Sequence, residues 1–344
     1  MAGLRKKMLL IAAISSLLLI LSACGDKSQE GAVKKITEKA EEINGYKAKM
    51  EMTMKTGEKD QSYDVDAWYK QGETDLYRVG LDHKNEEGGQ VILKNKKGVF
   101  VLTPAHNKSF KFQAEWPDNS SQPYLYQSLV KDVVADKEAT FTASEDEYVF
   151  LTKTNYKNNS NLPLQEIHFD KKTFLPTAVN VMNEEREVLI SVAFNELELN
   201  PSFAKEDFHR KSILESTLAE TEVNSEEDSD VLEVLFPLET NGAELAEKKE
   251  TNTEDGERVI MQFEGNQNFT LIQEKEEAVE TSNMEATDKE MQGELVNLGH
   301  SVGALGGNSV EWSYNGAEFL LASEDMNAEE LIQVASSIQG KEIK

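Results

Sequence analysis

Apolar side chains recur at helical spacing at Val33, Ile36, Ala40 and Ile43, with lysines and glutamates between them. That spacing predicts an amphipathic helix of about three turns. Asn44-Gly45 closes it, since glycine takes the left-handed backbone that ends helices without steric cost. The period then changes to two. Tyr46, Ala48, Met50, Met52 and Met54 alternate with Lys47, Lys49, Glu51, Thr53 and Lys55, as in an antiparallel sheet wetted on one side. Short runs bounded by Gly, Asn or Asp predict further strands near 62–70, 75–82, 89–94, 98–103, 108–113, 147–154, 164–170, 177–183 and 188–197. Hairpin turns are expected at 95–98 and 182–186, and a second helix over 124–134, after Pro123. About ten consecutive antiparallel strands tend to close or half-close into a barrel. The expected class is therefore α+β: an incomplete antiparallel barrel with helices in its concave face.

The pattern breaks at 220–230, which holds six acids, no base and only Val223 as an apolar residue. Like charges repel and the segment has little surface to bury, so it reads as an extended linker. Strand-like runs resume at 231–237, 258–263, 268–273, 293–298, 309–314 and 317–322. Ala328, Leu331, Ile332, Ala335 and Ile338 then share one helical face, and Asn327 with Glu330 supplies the capping pair at its start. This predicts a small C-terminal α+β domain over 231–344, with acidic, exposed loops at 247–257 and 274–290.

The chain has 344 residues, too many for one ordinary domain. Its 63 acids against 36 bases give a formal charge of −27. Such a surface repels phosphates, which argues against nucleic acid and against broad docking on anionic lipid. Five histidines lie far apart with no HxH or HExxH pair, and a single cysteine allows neither a disulfide nor a thiolate cage. No metal and no cofactor are expected. The first residues change the picture most. Arg5, Lys6 and Lys7 precede an uncharged apolar run over 8–21. That run has signal-peptide length and falls short of the ~20 residues a spanning helix needs. It ends in Leu21-Ser22-Ala23-Cys24-Gly25, which resembles the bacterial lipobox. The resemblance implies a signal peptide over 1–23 and a diacylglyceryl group on Cys24. Residues 24–30 would be a tether, holding the protein on the extracytoplasmic face of the cell membrane. Two acyl chains anchor firmly where one does not.

The run Gly45-Tyr46-Lys47-Ala48-Lys49-Met50 through Gly98-Val99-Phe100-Val101-Leu102-Thr103-Pro104 resembles LolA-like lipoprotein-sorting proteins. The run Leu164-Gln165-Glu166-Ile167-His168-Phe169-Asp170, then Phe174-Leu175-Pro176 and residues 188–194, continues the likeness. Within that family the chain is most similar to the sporulation and germination lipoproteins of endospore-forming bacteria, the YdcC and GerS group. The resemblance covers about residues 31–215 of a first domain drawn at 31–218, with the linker at 219–230. It implies a half-barrel with a lid of helices around a hydrophobic cavity, and a place in sporulation or germination. The best-known members carry acyl chains across the periplasm. A carrier must diffuse and this chain is expected to be anchored, so binding at a fixed site fits it better. Residues 310–319 with the 328–338 helix look like a small C-terminal domain of membrane-tethered lipoproteins and anti-sigma-factor ectodomains.

Met50, Met52 and Met54 form a stripe of flexible thioethers that could line an acyl-binding cavity or pack as core. Trp68 and Trp116 carry the same two readings. Gly299-His300-Ser301-Val302-Gly303 matches the GxSxG nucleophile elbow. No histidine follows Ser301, and the next residues are glycine-broken, so a turn between two strands is expected. No catalytic residue is assigned. Two functions remain open: binding of a lipid or acyl chain in the half-barrel, or an interaction module that holds an envelope protein, the barrel being filled by its own side chains.

Overall fold

The computed structural model describes residues 28–56, 59–84, 89–112, 115–118, 120–156, 162–221, 232–253, 256–275, 288–291, 293–298, 301–314 and 316–340. The expected signal peptide, Cys24 and most of the acidic linker lie outside them.

Helix α1 (Gln29–Glu41) starts at Ser28, whose hydroxyl accepts from the Gly31 amide, and buries Ala32 and Ile36. Six strands follow: β1 (Gly45–Thr56), β2 (Lys59–Lys70), β3 (Leu76–His83), β4 (Gln90–Asn95), β5 (Gly98–Thr103) and β6 (Lys108–Phe112). Helix α2 (Tyr126–Ala135) precedes β7 (Thr140–Ala143), β8 (Glu147–Lys153), β9 (Leu164–Asp170), β10 (Pro176–Met182) and β11 (Val188–Leu199). The sheet order is β6-β5-β4-β3-β2-β1-β11-β10-β9-β8-β7, so β1 pairs antiparallel with β11 at the middle and the sheet stays open. This is the expected α+β half-barrel. The strand β7 was not foreseen, because Thr140–Ala143 is short and only its Phe141 is large and apolar.

Alternation decides the two faces. Along β1 the even-numbered residues from Tyr46 to Met54 are buried, with Met50 and Met52 at 2% and 1% exposure. They share one core with Val65, Tyr69, Tyr77, Phe150 and Phe169, and with Leu129 and Val133 of α2. The helices thus fill the inner face. Strands β4 and β5 depart from alternation: Val91, Ile92 and Leu93, and Val99 through Leu102, are all buried. A continuous apolar run is what a strand covered on both faces needs. The outer cover is Phe208 with Ile213 and Leu214 of α3 (Arg210–Thr221). This helix was missed, since it runs into the acidic segment expected to be wholly extended.

The second unit contains β12 (Phe236–Pro237), β13 (Ala243–Thr253), β14 (Gly256–Gly265), β15 (Phe269–Lys275), β16 (Asp288–Met291), β17 (Glu294–Asn297), β18 (Val302–Leu305), β19 (Ser309–Tyr314) and β20 (Ala317–Ala322). Helix α4 (Ala328–Ser336) and β21 (Ile338–Gly340) end it. Seven strands form one sheet in the order β13-β14-β15-β20-β19-β18-β17, while β12 pairs with β21. The capping pair is present: the Asn327 side chain accepts from Glu329 and Glu330 amides, and Glu330 accepts from the Asn327 amide. Leu331, Ile332, Val334 and Ala335 bury the helix on this sheet.

Two expectations need correction. Residues 247–253, expected as loop, belong to β13, an edge strand that tolerates charge because it has a neighbour on one side only. Within 274–290, β15 extends to Lys275, and β16 leaves the second unit to run parallel beside β6. The two units are therefore joined through a sheet. They are also joined through Gln90, which is buried. Its side-chain amide donates to the Ser313 carbonyl (3.1 Å), and its oxygen accepts from the Val302 amide (2.9 Å) and the Ser301 hydroxyl (3.3 Å). Lys108 and Glu318 add a half-buried ion pair at 3.0 Å.

Candidate binding cavity

A cavity of about 340 Å³ lies where the two units meet. From the first unit it is lined by Met54 and Lys55 at the end of β1, Leu189 and Ile190 at the start of β11, the 120–124 loop, Tyr156 and Leu162. Met54 and Ile190 are register partners, so the central strand pair forms one wall. From the second unit come Glu239, residues 294–298, Val302 and one face of α4. That face is Glu329, Ile332, Gln333 and Ser336, at i, i+3, i+4 and i+7 on one side of a helix. Strand β17 is the outer edge of its sheet and carries Leu295, Val296 and Asn297 to the cavity.

The 120–124 loop is held by a buried polar network. The Ser121 hydroxyl donates to Asp132 Oδ2 and accepts from the Asn155 amide, both at 2.7 Å. Gln165 donates to the same Asp132 oxygen at 2.7 Å. The Gln122 amide donates to Ser128, and Tyr124 donates to the Gln122 side-chain oxygen. Burial holds the phenols of Tyr124 and Tyr156 above their ordinary range. Burial also raises the Asp132 carboxyl, against the opposing bonds from Ser121 and Gln165. A raised acid binds its proton more tightly in the folded state. Its contribution to stability therefore falls as pH rises from the ordinary aspartate value of about 4 through the raised folded value. Asp132→Asn keeps an accepting oxygen and removes the charge. Its unfolding free energy should rise relative to the wild type across that window, as read by urea unfolding at a series of pH values. A constant difference would contradict this account.

The predicted site residues fall in three places. Met50 and Met52 lie in the filled core of the first unit, and Met54 alone of the stripe reaches the cavity. Trp68 does not line it. Trp68 points to the opposite face, because its register partners Lys47 and Arg78 are outward residues. The Lys47 ammonium sits 3.8 Å and the Arg78 guanidinium 4.6 Å from the Trp68 ring, with Phe203 beside it. Trp116 packs against Tyr77 in the inner core. Cys24 lies outside the described residues.

Ser301 is 4% exposed and donates to the Ser313 carbonyl at 2.7 Å as well as to Gln90, so its hydroxyl serves the joint between the units. The strand that follows it is β18, as a turn between strands requires. Among the described residues, no three His, Cys, Asp or Glu side chains are placed to hold a metal ion. Sequence reasoning missed Leu189, Ser121, Glu294 and the α4 face. The last carried a signal: beside its apolar stripe, α4 has a second, mixed stripe.

An open antiparallel sheet with two helices packed on one face makes this an α+β protein. Solved structures with a similar arrangement include the Pseudomonas aeruginosa MucA/MucB complex, at 12% identity over 90% of this chain and 100% of that one, with a TM-score of 0.30. Another is the LolA superfamily protein NE2245 from Nitrosomonas europaea, at 11% identity over 51% and 96%, with a TM-score of 0.29. In sequence, the family described as "Sporulation protein YdcC-like" matches residues 5–208. "Sporulation protein YdcC" of Bacillus subtilis (strain 168) is 46% identical over 346 residues, covering 100% of both chains. The chain belongs to the YdcC-like family of sporulation proteins.

Proposed function

We propose that this protein is a lipid-anchored, extracytoplasmic binding protein of sporulation or germination, without catalytic activity, whose cavity takes one apolar chain. The cavity between the units carries the reading. Met54, Leu162, Leu189, Ile190, Leu295, Leu298 and Ile332 give it an apolar wall, and fixed polar groups stand at its margin. Ligand sites span about 300–1,000 Å³. At about 340 Å³ this one has room for a single acyl chain. The membrane anchor is the acylated Cys24, whose two chains leave the cavity free for another ligand. The buried, hydrogen-bonded Ser301 supports a non-catalytic role for the GxSxG segment.

A second reading has a specific observation in its favour. The inner face of the half-barrel is filled by Tyr46, Met50, Met52, Tyr77 and Trp116, as an interaction module for an envelope protein would allow. One preparation tests both. Cys24→Ser should move the protein from the membrane to the soluble fraction. Native mass spectrometry of that form should then show a co-purified single-chain lipid. Retention on membranes after a high-salt wash would refute the anchor. An empty protein that captures an envelope protein would favour the second reading.

A further inference from the structure

One row of side chains crosses the second sheet on the face opposite α4. Register partners define it: Ala304, Glu311, Leu320, Ile272, Ile260 and Lys249, on β18, β19, β20, β15, β14 and β13. Ala304 and its own partner Leu295 are buried in the core of the first unit. The first unit therefore covers this face at β17 and β18, and the face continues beyond it. Leu320, Ile272 and Ile260 are half-buried aliphatics on three adjacent strands. Among the described residues, none of the three packs against a hydrophobic core. Glu311 bounds them on one side and Lys249 on the other. Among the described residues, neither of these two charges makes an ion pair.

Acid, three aliphatics, base: this order complements itself about Ile272, its midpoint. A two-fold axis parallel to the strands and through Ile272 sets Ile272 on Ile272 of a second copy. It sets Ile260 on Leu320 and Lys249 on Glu311, each pair occurring twice, as a two-fold interface requires. An axis along the row instead sets Glu311 on Glu311 and Lys249 on Lys249, so the charges choose between the two orientations. In the neighbouring row Arg258 pairs with Glu274 at 2.8 Å, and Glu318 pairs with Lys108 at 3.0 Å, so those charges already have partners within the chain. Sheets stack face to face about 10 Å apart with their strands within about 30°. Lysine and glutamate side chains span that gap from the two sides. We infer that the protein associates with a second copy of itself through this face, as a two-fold dimer with Ile272 on the axis. Five strands at ~4.8 Å spacing and about six residues at ~3.3 Å outline about 400 Å² per copy, half of the ~800 Å² of a standard interface. The dimer is therefore weak and reversible. The formal charge of −27 on each copy opposes it, but salt at physiological strength screens that repulsion beyond about 8 Å and leaves close pairs in force. None of the three aliphatics lines the cavity.

The test places a photocrosslinker on the axis, as Ile272→p-benzoylphenylalanine in the full chain. That chain is mixed with heavy-isotope wild-type chain and irradiated, and crosslinked peptides are located by mass spectrometry. Position 272 should join the heavy peptide bearing residues 269–275. Lys249→Glu or Glu311→Lys alone should reduce this crosslink about fivefold, or about 1 kcal/mol, as two pairs turn from attraction to repulsion. Carried together, in both copies, the two exchanges should restore it, because both pairs re-form with their signs reversed. Crosslinks confined to one isotope form would mean that another segment of the same chain covers the face, and would overturn the dimer. Crosslinks to a different protein, or none, would also overturn it, and so would a folded double variant that is not rescued. The isotope mixture decides the matter even where a charge variant does not fold.

Discussion

Replacing Tyr126 by alanine should lower the unfolding free energy by about 3–5 kcal/mol, the range for removing a large aromatic ring from a core. Tyr126 is fully buried at the start of α2 and packs against Phe169 of the sheet. Its hydroxyl lies 3.0 Å from the Phe174 carbonyl and 3.3 Å from the Ile36 carbonyl of α1, and its own amide donates to the Tyr46 hydroxyl. One side chain therefore fixes both helices and the β9–β10 turn to the inner face. Phe174 holds a left-handed backbone, with φ of 60°, that disfavours bulky side chains. The bond to its carbonyl helps keep that turn in place. Tyr126→Phe keeps the ring and removes the donor, so it should cost about 1–3 kcal/mol. Urea unfolding of the two variants separates packing from hydrogen bonding. A loss below about 1 kcal/mol for the alanine variant would mean that the helices are not seated as described.

Gln333→Trp should weaken the binding of a single apolar chain at least tenfold, about 1.4 kcal/mol. Gln333 is exposed on the surface of α4, yet it borders the cavity. An indole there would occupy part of the 340 Å³ that the chain needs. Because the position is not in the core, the unfolding free energy should change by no more than about 0.5 kcal/mol. Titration with a fluorescent single-chain lipid, alongside urea unfolding, reads both quantities. Undiminished binding in a folded variant would place the ligand elsewhere.

The first sheet was legible because its chemistry is local. From Tyr46 to Met54 the alternation names both the strand and the face that becomes core, and the same holds for Tyr148, Phe150, Ile167 and Phe169. The helix cap at Asn327 and Glu330 was readable for the same reason: both partners lie within one turn. What depended on distant neighbours was not readable. Trp68 is not such a case: it shares the polar face of its own strand with Ser62, Asp64 and Asp66, so alternation already set it outward, where it meets Lys47 and Arg78. The charged stretch of β13 reads as loop until its pairing with β14 is known. The cavity draws on residues more than 200 positions apart, such as Met54 and Ile332. No periodicity links them. Of the methionine stripe, which could line a cavity or pack as core, Met50 and Met52 pack in the core of the first unit, and Met54 also borders the cavity between the units.

Strand β16 places a piece of the C-terminal half against β6, so the first sheet is finished by residues synthesised late. Until Met291 has emerged, the flank of β6 stays bare and open to any other extended chain that meets it. The N-terminal half is thus not a self-sufficient body that merely waits for an appendage. During synthesis it passes through a vulnerable interval, which ends when its own downstream sequence arrives to cover it.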